Sequence, residues 1–152
     1  MSAIPSTHLN GSYLMPSLEH ATVADAMHPG VLSCRRDTPL TDIARLMAAR
    51  HVHCIAVMDV SDQKPPEQFV WGIVTDFDLL EAGLRDGAEP IAEAVAHQPT
   101  VHVESTMALR DVAQRMHDSA TAHVIVVEPR SGRPVGVLST LDIAGVLAWG
   151  EA

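Results

Sequence analysis

Two stretches of the chain share one residue pattern: Gly72-Ile-Val-Thr-Asp-Phe-Asp78 and Gly136-Val-Leu-Ser-Thr-Leu-Asp142. Each contains a glycine, an apolar pair, a serine or threonine, and an aspartate three residues after the hydroxyl. The second stretch begins 64 residues after the first. Such a recurrence indicates an internal repeat in which each copy is one supersecondary unit. The pattern itself predicts a strand that ends near the hydroxyl residue and a helix that begins there.

The repeat extends upstream from both stretches. The matched segments are Val23-Ala-Asp-Ala-Met27 with Ile91-Ala-Glu-Ala-Val95, Leu40-Thr-Asp-Ile-Ala44 with Leu109-Arg-Asp-Val-Ala113, and Ile55-Ala-Val-Met-Asp59 with Val124-Ile-Val-Val-Glu128. The offset falls from 69 to 64 between Asp59 and Gly72. Because this interval contains Pro65, Pro66 and charged residues, it predicts a solvated hairpin loop over residues 60–70.

Each copy predicts the element order β-α-β-β-α. Apolar residues at i, i+3, i+4 and i+7 predict one helix after Thr38, which is the expected N-cap, and an equivalent helix after residue 108. Dense β-branched runs predict buried strands. The predicted strands are 31–33, 54–58, 70–74, 123–127 and 135–138, and the helices that follow the repeated motif are 76–83 and 140–149. The fold class is therefore α/β (α+β), with two repeats packed as a pseudo-two-fold pair, since a unit of about 60 residues is marginal alone. We expect a flexible tail over 1–20 and repeats over 21–86 and 87–152.

Composition excludes several classes of protein. Lys and Arg number 10 against 19 Asp and Glu, a formal charge of −9, which argues against nucleic-acid polymers and anionic membranes as partners. Cys34 and Cys54 are too few for a disulfide framework. Neither a signal peptide nor an apolar run long enough for a membrane span is present in the sequence, so we expect a soluble, cytoplasmic protein.

The repeated hydroxyl and aspartate have two interpretations. A helix N-terminus suits a phosphate, and an aspartate in its first turn can accept hydrogen bonds from two ribose hydroxyls. The same spacing is also typical of a capping box, in which the acid bonds back to the N-cap amide. The motif alone does not separate a nucleotide site from a helix cap.

The ordered set of motifs resembles a pair of CBS domains, also called a Bateman module. The segments that carry the resemblance are Ala26-Met27, Val31-Leu32, Leu46-Met47, Ile55-Ala-Val-Met-Asp59 and Gly72-Ile-Val-Thr-Asp-Phe-Asp-Leu79, with the second-copy segments Val124-Ile-Val-Val-Glu128 and Gly136-Val-Leu-Ser-Thr-Leu-Asp-Ile143. It covers about residues 21–149. The resemblance implies a regulatory module that binds AMP, ADP, ATP or S-adenosylmethionine in clefts between the repeats, with no cofactor required.

The resemblance also assigns the ligand contacts. Asp78 and Asp142 would hold ribose hydroxyls, and Thr75 and Ser139 would contact ribose or phosphate. The adenine pockets would be lined by Val31, His53, Cys54, Ile55 and Ala56, and by Thr100, Ala122, His123, Val124 and Ile125. It further implies a homodimer that signals to a separate effector protein. A structural dimerisation module with degenerate ligand sites is the alternative.

Other chemistries have weaker support in the sequence. His51-Val-His53-Cys54 contains zinc-binding residue types, but the second copy has no equivalent cluster. Arg50 and Arg133 are candidates to neutralise a ligand phosphate. Since we find neither a nucleophile signature nor a phosphate-binding loop, we expect a non-enzymatic protein.

Overall fold

The computed structural model describes residues 14–87, 89–98 and 101–151. In chain order, the elements are α1 Val23–Ala26, β1 His28–Pro29, β2 Ser33–Arg35, α2 Leu40–Arg50, β3 Cys54–Val60, β4 Gln68–Thr75, α3 Asp76–Gly83, α4 Ala92–Val95, β5 Val103–Glu104, α5 Leu109–Asp118, β6 His123–Val127, β7 Pro134–Ser139 and α6 Thr140–Trp149. The mixed α/β fold with two repeats is thus confirmed. None of the described helices is long and apolar enough to cross a membrane.

The strands form one sheet for each repeat. The first sheet has the order β2-β3-β4, and the second has the order β1-β7-β6-β5. In both, a short strand runs parallel to the central strand, which pairs antiparallel with the strand that ends in the repeated motif. The hairpin strands β3 and β4 extend to Val60 and from Gln68, so the connecting loop is shorter than the sequence predicted.

Three groups of buried side chains hold the pair together. Each repeat has its own core, around Ile55 and Val74 in the first and Val126 and Leu138 in the second. The third group joins β3 and β4 to β6 through Cys54, Ala56, Ile73 and Ile125. The two repeats therefore pack against each other through their sheets, as the sequence predicted. Burial of apolar area stabilises this packing.

The segments that precede each repeat are exchanged between the two cores. We call residues 21–30 and 90–98 the first and second lead-ins. Ala21 and Val23 are buried in the core of the second repeat, whereas Ala92 is buried in the core of the first. The first lead-in pairs with β7, and the second bridges β4 through His97 and Ile73. The two repeats are consequently interlocked.

The glycines of the repeated motif have a packing role in this exchange. A Cβ added at Gly136 would lie 2.6 Å from the carbonyl oxygen of His28, and one at Gly72 would lie 3.0 Å from that of His97. Each glycine lets the backbone of the opposite lead-in lie directly against the strand.

Three local features differ from, or add to, the expectations drawn from the sequence. Helix α2 has Pro39 rather than Thr38 as its N-cap, and the Thr38 hydroxyl instead accepts from the Arg35 amide. The predicted strand 31–33 is displaced to Ser33–Arg35. Of the expected tail, residues 1–13 lie outside the described residues, and the Ser17 amide donates to the Glu151 carbonyl at 2.8 Å.

Candidate ligand-binding site

A cavity of about 520 Å³ lies between the two repeats. Its first-repeat wall comes from the end of β4 and the start of α3. Its second-repeat wall comes from the α5–β6 connection and the start of β6. The described residues that line it are Ile73, Thr75, Asp76, Phe77, Asp78, His97, Gln98, Val101, Ser119, Ala120, Thr121, Ala122, His123, Val124 and Ile125.

The cavity brings together six of the residues that the sequence assigned to ligand binding. These are Thr75, Asp78, Ala122, His123, Val124 and Ile125. They come from both repeats, because the β4–α3 junction faces the start of β6. A volume of this size is in the range of sites for small organic ligands.

The other assigned residues that the structure describes do not line this cavity. Ile55 and Ala56 are completely buried, Ile55 in the core of the first repeat and Ala56 between the sheets. Val31 packs beside Ala56, and Cys54 is also buried there. Ser139 and Asp142 lie at the β7–α6 junction of the second repeat. Thr100 lies outside the described residues.

Both repeated motifs form capping boxes with nearly identical geometry. The Thr75 amide donates to Asp78 Oδ2 at 2.8 Å, and the Asp78 amide donates to Thr75 Oγ1 at 3.3 Å. Ser139 and Asp142 repeat these two bonds at 2.8 and 3.3 Å. Helix capping by the motif is therefore observed in both copies, and it involves one carboxylate oxygen of each aspartate.

The second carboxylate oxygen of each aspartate contacts a histidine from the exchanged lead-in. His28 Nδ1 lies 2.8 Å from Asp142 Oδ1, and His97 Nε2 contacts Asp78 Oδ1. His28 and His97 occupy equivalent positions 69 residues apart. Asp78 is 5% exposed, and it lines the cavity together with His97.

The two histidines at the start of the central strands stack on each other between the repeats. The rings of His53 and His123 have centroids 5.3 Å apart. Burial and the nearby His53 lower the pKa of His123, so its neutral form is favoured. His53 Nδ1 lies 2.7 Å from Asp76 Oδ2, and this hydrogen bond lowers the pKa of the Asp76 carboxyl. Asp76 is therefore ionised at neutral pH and adds negative charge to the cavity wall.

The zinc-type cluster of the sequence is dispersed in the structure. His51 is the C-cap of α2 in the left-handed conformation, while His53 is engaged with Asp76 and His123. Burial raises the pKa of the Cys54 thiol to about 12, which keeps it protonated. Within the described residues, we find no group of three or more His, Cys, Asp or Glu side chains placed to hold a metal ion.

Sequence reasoning missed His97, Gln98 and Asp76 as residues of the cavity. The offset of 68 between the lead-ins aligns His28 with Ala96 in the sequence, whereas the structure gives His28 and His97 equivalent contacts with the motif aspartates. Asp76 is aligned with Thr140, so the acidic character at this position is specific to the first copy. Arg50 and Arg133 are not among the residues that line the cavity.

Comparison with known protein families identifies the family of this chain. The CBS domain family matches residues 23–85 and 91–148, and the chain belongs to this family. The resemblance inferred from the motifs is thus confirmed. No match was found among curated proteins.

Solved structures share the fold at low sequence identity. The CBS domain pair of protein MJ0100, in complex with 5′-methylthioadenosine and S-adenosyl-L-methionine, is 16% identical and superimposes with a TM-score of 0.71 over 84% of this chain and 96% of that one. CBSX2 in complex with AMP is 20% identical, with a TM-score of 0.65 and coverage of 84% and 96%. The cytosolic domain of the Mg²⁺ channel MgtE in complex with ATP is 20% identical, with a TM-score of 0.65 and coverage of 85% and 50%.

Proposed function

We propose that this chain is a non-catalytic regulatory module that binds an adenosyl nucleotide in the cavity between its repeats. The observation that carries the proposal is that Thr75 and Asp78 meet the start of β6, with the preceding Ala122, around one cavity. In this arrangement, Asp78 Oδ1 accepts from the ribose hydroxyls. The apolar side chains of Val124 and Ile125 lie where an adenine ring would pack.

The relatives support the class of ligand. Protein MJ0100, CBSX2 and the MgtE domain have the same fold and hold adenosyl compounds. The structural alternative, a module with degenerate sites, draws support from the hydrogen bonds that already occupy both oxygens of Asp78 and Asp142. Direct binding measurements separate the two functions, since a degenerate module binds no adenosyl compound.

The test is isothermal titration of AMP, ATP, S-adenosylmethionine and 5′-methylthioadenosine into the full chain. We expect at least one compound to bind with a dissociation constant below about 1 mM. Ala122→Trp should abolish that binding, because Ala122 is exposed and lines the cavity, so a larger side chain fills it. The matched control Ala82→Trp changes the far end of α3 and should leave affinity unchanged. Equal affinities of the two variants would reject the cavity as the binding site.

We also propose that a second copy of this chain covers the exposed apolar surface of α3 and α6. Phe77 and Leu80 are exposed on α3 and Leu84 directly after it, and Leu141 and Leu147 are exposed on α6. Phe77 and Leu141 are equivalent positions of the repeat, and they are 68% and 79% exposed. A surface that repeats about a pseudo-two-fold axis can pair with its own copy, as in isologous dimers. Ligand-dependent changes would then pass to a separate effector protein.

A further inference from the structure

We propose that the cavity selects nucleosides whose 5′ group is uncharged or cationic, such as a thioether or sulfonium, over nucleotides with 5′ phosphates. This inference rests on the proposed function and names the class of ligand. Asp76 and Asp78 place two carboxylates on the wall of the cavity. None of the described residues that line it is Lys or Arg. A phosphate bound there would face like charge without a permanent cation to offset it.

The start of helix α3 does not supply the missing positive charge. The Thr75 amide donates to Asp78, the Asp76 amide donates to the His53 carbonyl at 2.9 Å, and the Asp78 amide donates to the Thr75 hydroxyl. The Phe77 amide lies beside the Asp76 carboxylate and helps to lower the pKa of that carboxyl. Three of the four amides from Thr75 to Asp78 thus donate within the protein, and the fourth, that of Phe77, lies beside a carboxylate. A phosphate at this helix start would have to compete with the Asp76 carboxylate for the Phe77 amide.

The histidines that line the cavity do not make its net charge positive. His97 contacts Asp78, so any charge on its ring is matched locally by that carboxylate. His123 stacks on His53, and its nearby carboxylates are Asp76 and Asp142. Burial favours the neutral form of His123. The field at the cavity is therefore negative, and it attracts a sulfonium while it repels a phosphate.

The test compares four ligands on the full chain by isothermal titration at about pH 8, where an ordinary histidine is neutral. We expect S-adenosylmethionine and 5′-methylthioadenosine to bind at least about tenfold more tightly than AMP and ATP. Binding of AMP or ATP equal to or tighter than that of 5′-methylthioadenosine would overturn the selectivity but leave the proposed function intact. Failure of all four compounds to bind would reject the proposed function itself.

A charge variant separates the local effect from the net charge of the protein. Asp76→Asn should raise the affinity for AMP by about three- to tenfold relative to that for 5′-methylthioadenosine, and it should lower the affinity for S-adenosylmethionine relative to the same reference. Asp62→Asn removes the same formal charge in the β3–β4 loop, outside the residues that line the cavity. Asp62→Asn should leave the ratio of the affinity for AMP to that for 5′-methylthioadenosine as in wild type. Equal effects of the two variants on AMP would overturn the inference. Because Asp76 is exposed, circular dichroism should show an intact fold.

Discussion

Substitution of Asp78 or Asp142 by alanine separates helix capping from ligand binding. Each carboxylate accepts from the amide of its N-cap residue at 2.8 Å. Each lies against a histidine of the opposite lead-in. The side chains are about equally buried, at 5% and 6% exposure. The two sites therefore give a matched pair in which only one aspartate lines the cavity.

The magnitude follows from the bonds that are lost. Loss of an N-cap interaction costs about 0.5–2 kcal/mol, and a buried donor left without an acceptor costs about 1–3 kcal/mol. Both figures describe the same amide, so they overlap and we expect about 1–3 kcal/mol for each variant. The histidine contacts add little, because His28 and His97 are mostly exposed and screened by solvent. Urea denaturation, extrapolated linearly to water, measures both losses.

Ligand affinity should respond differently. Asp78→Ala should weaken 5′-methylthioadenosine binding by about tenfold or more, because hydrogen bonds to a charged acceptor contribute about 1.5–3 kcal/mol each. Asp142→Ala should be destabilised to a similar extent and retain the affinity of wild type. Full affinity in Asp78→Ala would refute the ribose role of this residue. Unchanged stability in either variant would refute the energetic argument for the capping box.

Two further substitutions test the packing of the fold and the apolar surface. Gly136→Ala should lower the free energy of unfolding by about 1–3 kcal/mol, because its Cβ would lie 2.6 Å from the His28 carbonyl oxygen. Gly72→Ala, with 3.0 Å to its nearest neighbour, should lose less, and the reverse order in denaturant titrations would contradict the lead-in packing. Leu141→Asp should convert a dimer to a monomer in sedimentation velocity, whereas Val60→Asp, also at an exposed apolar residue, should not. A wild-type chain that sediments as a monomer would reject the dimer.

Elements fixed by local signals could be predicted from the sequence with their full bounds. The strand His123–Val127 is a dense β-branched run, and the helices Asp76–Gly83 and Thr140–Trp149 begin at capping boxes. Such signals act over a few residues and do not depend on the partner repeat. The start of α2 was wrong by one residue because the Thr38 hydroxyl bonds to Arg35 instead of capping the helix.

The exchange of the lead-ins could not be predicted, because a repeat shows which residues are equivalent but not which copy each one packs against. Either arrangement would bury Val23 and Ala92 on a similar apolar surface. The choice depends on the length and path of the connections and on contacts between residues distant in the sequence, such as the bridge between Ile73 and His97. His97 was missed as a residue of the cavity for the same reason, and because the offset of 68 between the lead-ins aligns His28 with Ala96 instead.

The capping and ligand-binding interpretations of the motif are compatible, since the two carboxylate oxygens of Asp78 have different partners. Oδ2 holds the start of α3, and Oδ1 contacts His97. A ribose hydroxyl that donates to Oδ1 must share this oxygen with His97 or displace it. His97 belongs to the lead-in that bridges Ile73 and continues from α4, whose Ala92 is buried in the first repeat. In the proposed function, ligand occupancy is therefore linked to the position of the second lead-in. A ligand shifts that position only to the extent that it binds the two arrangements with different affinity.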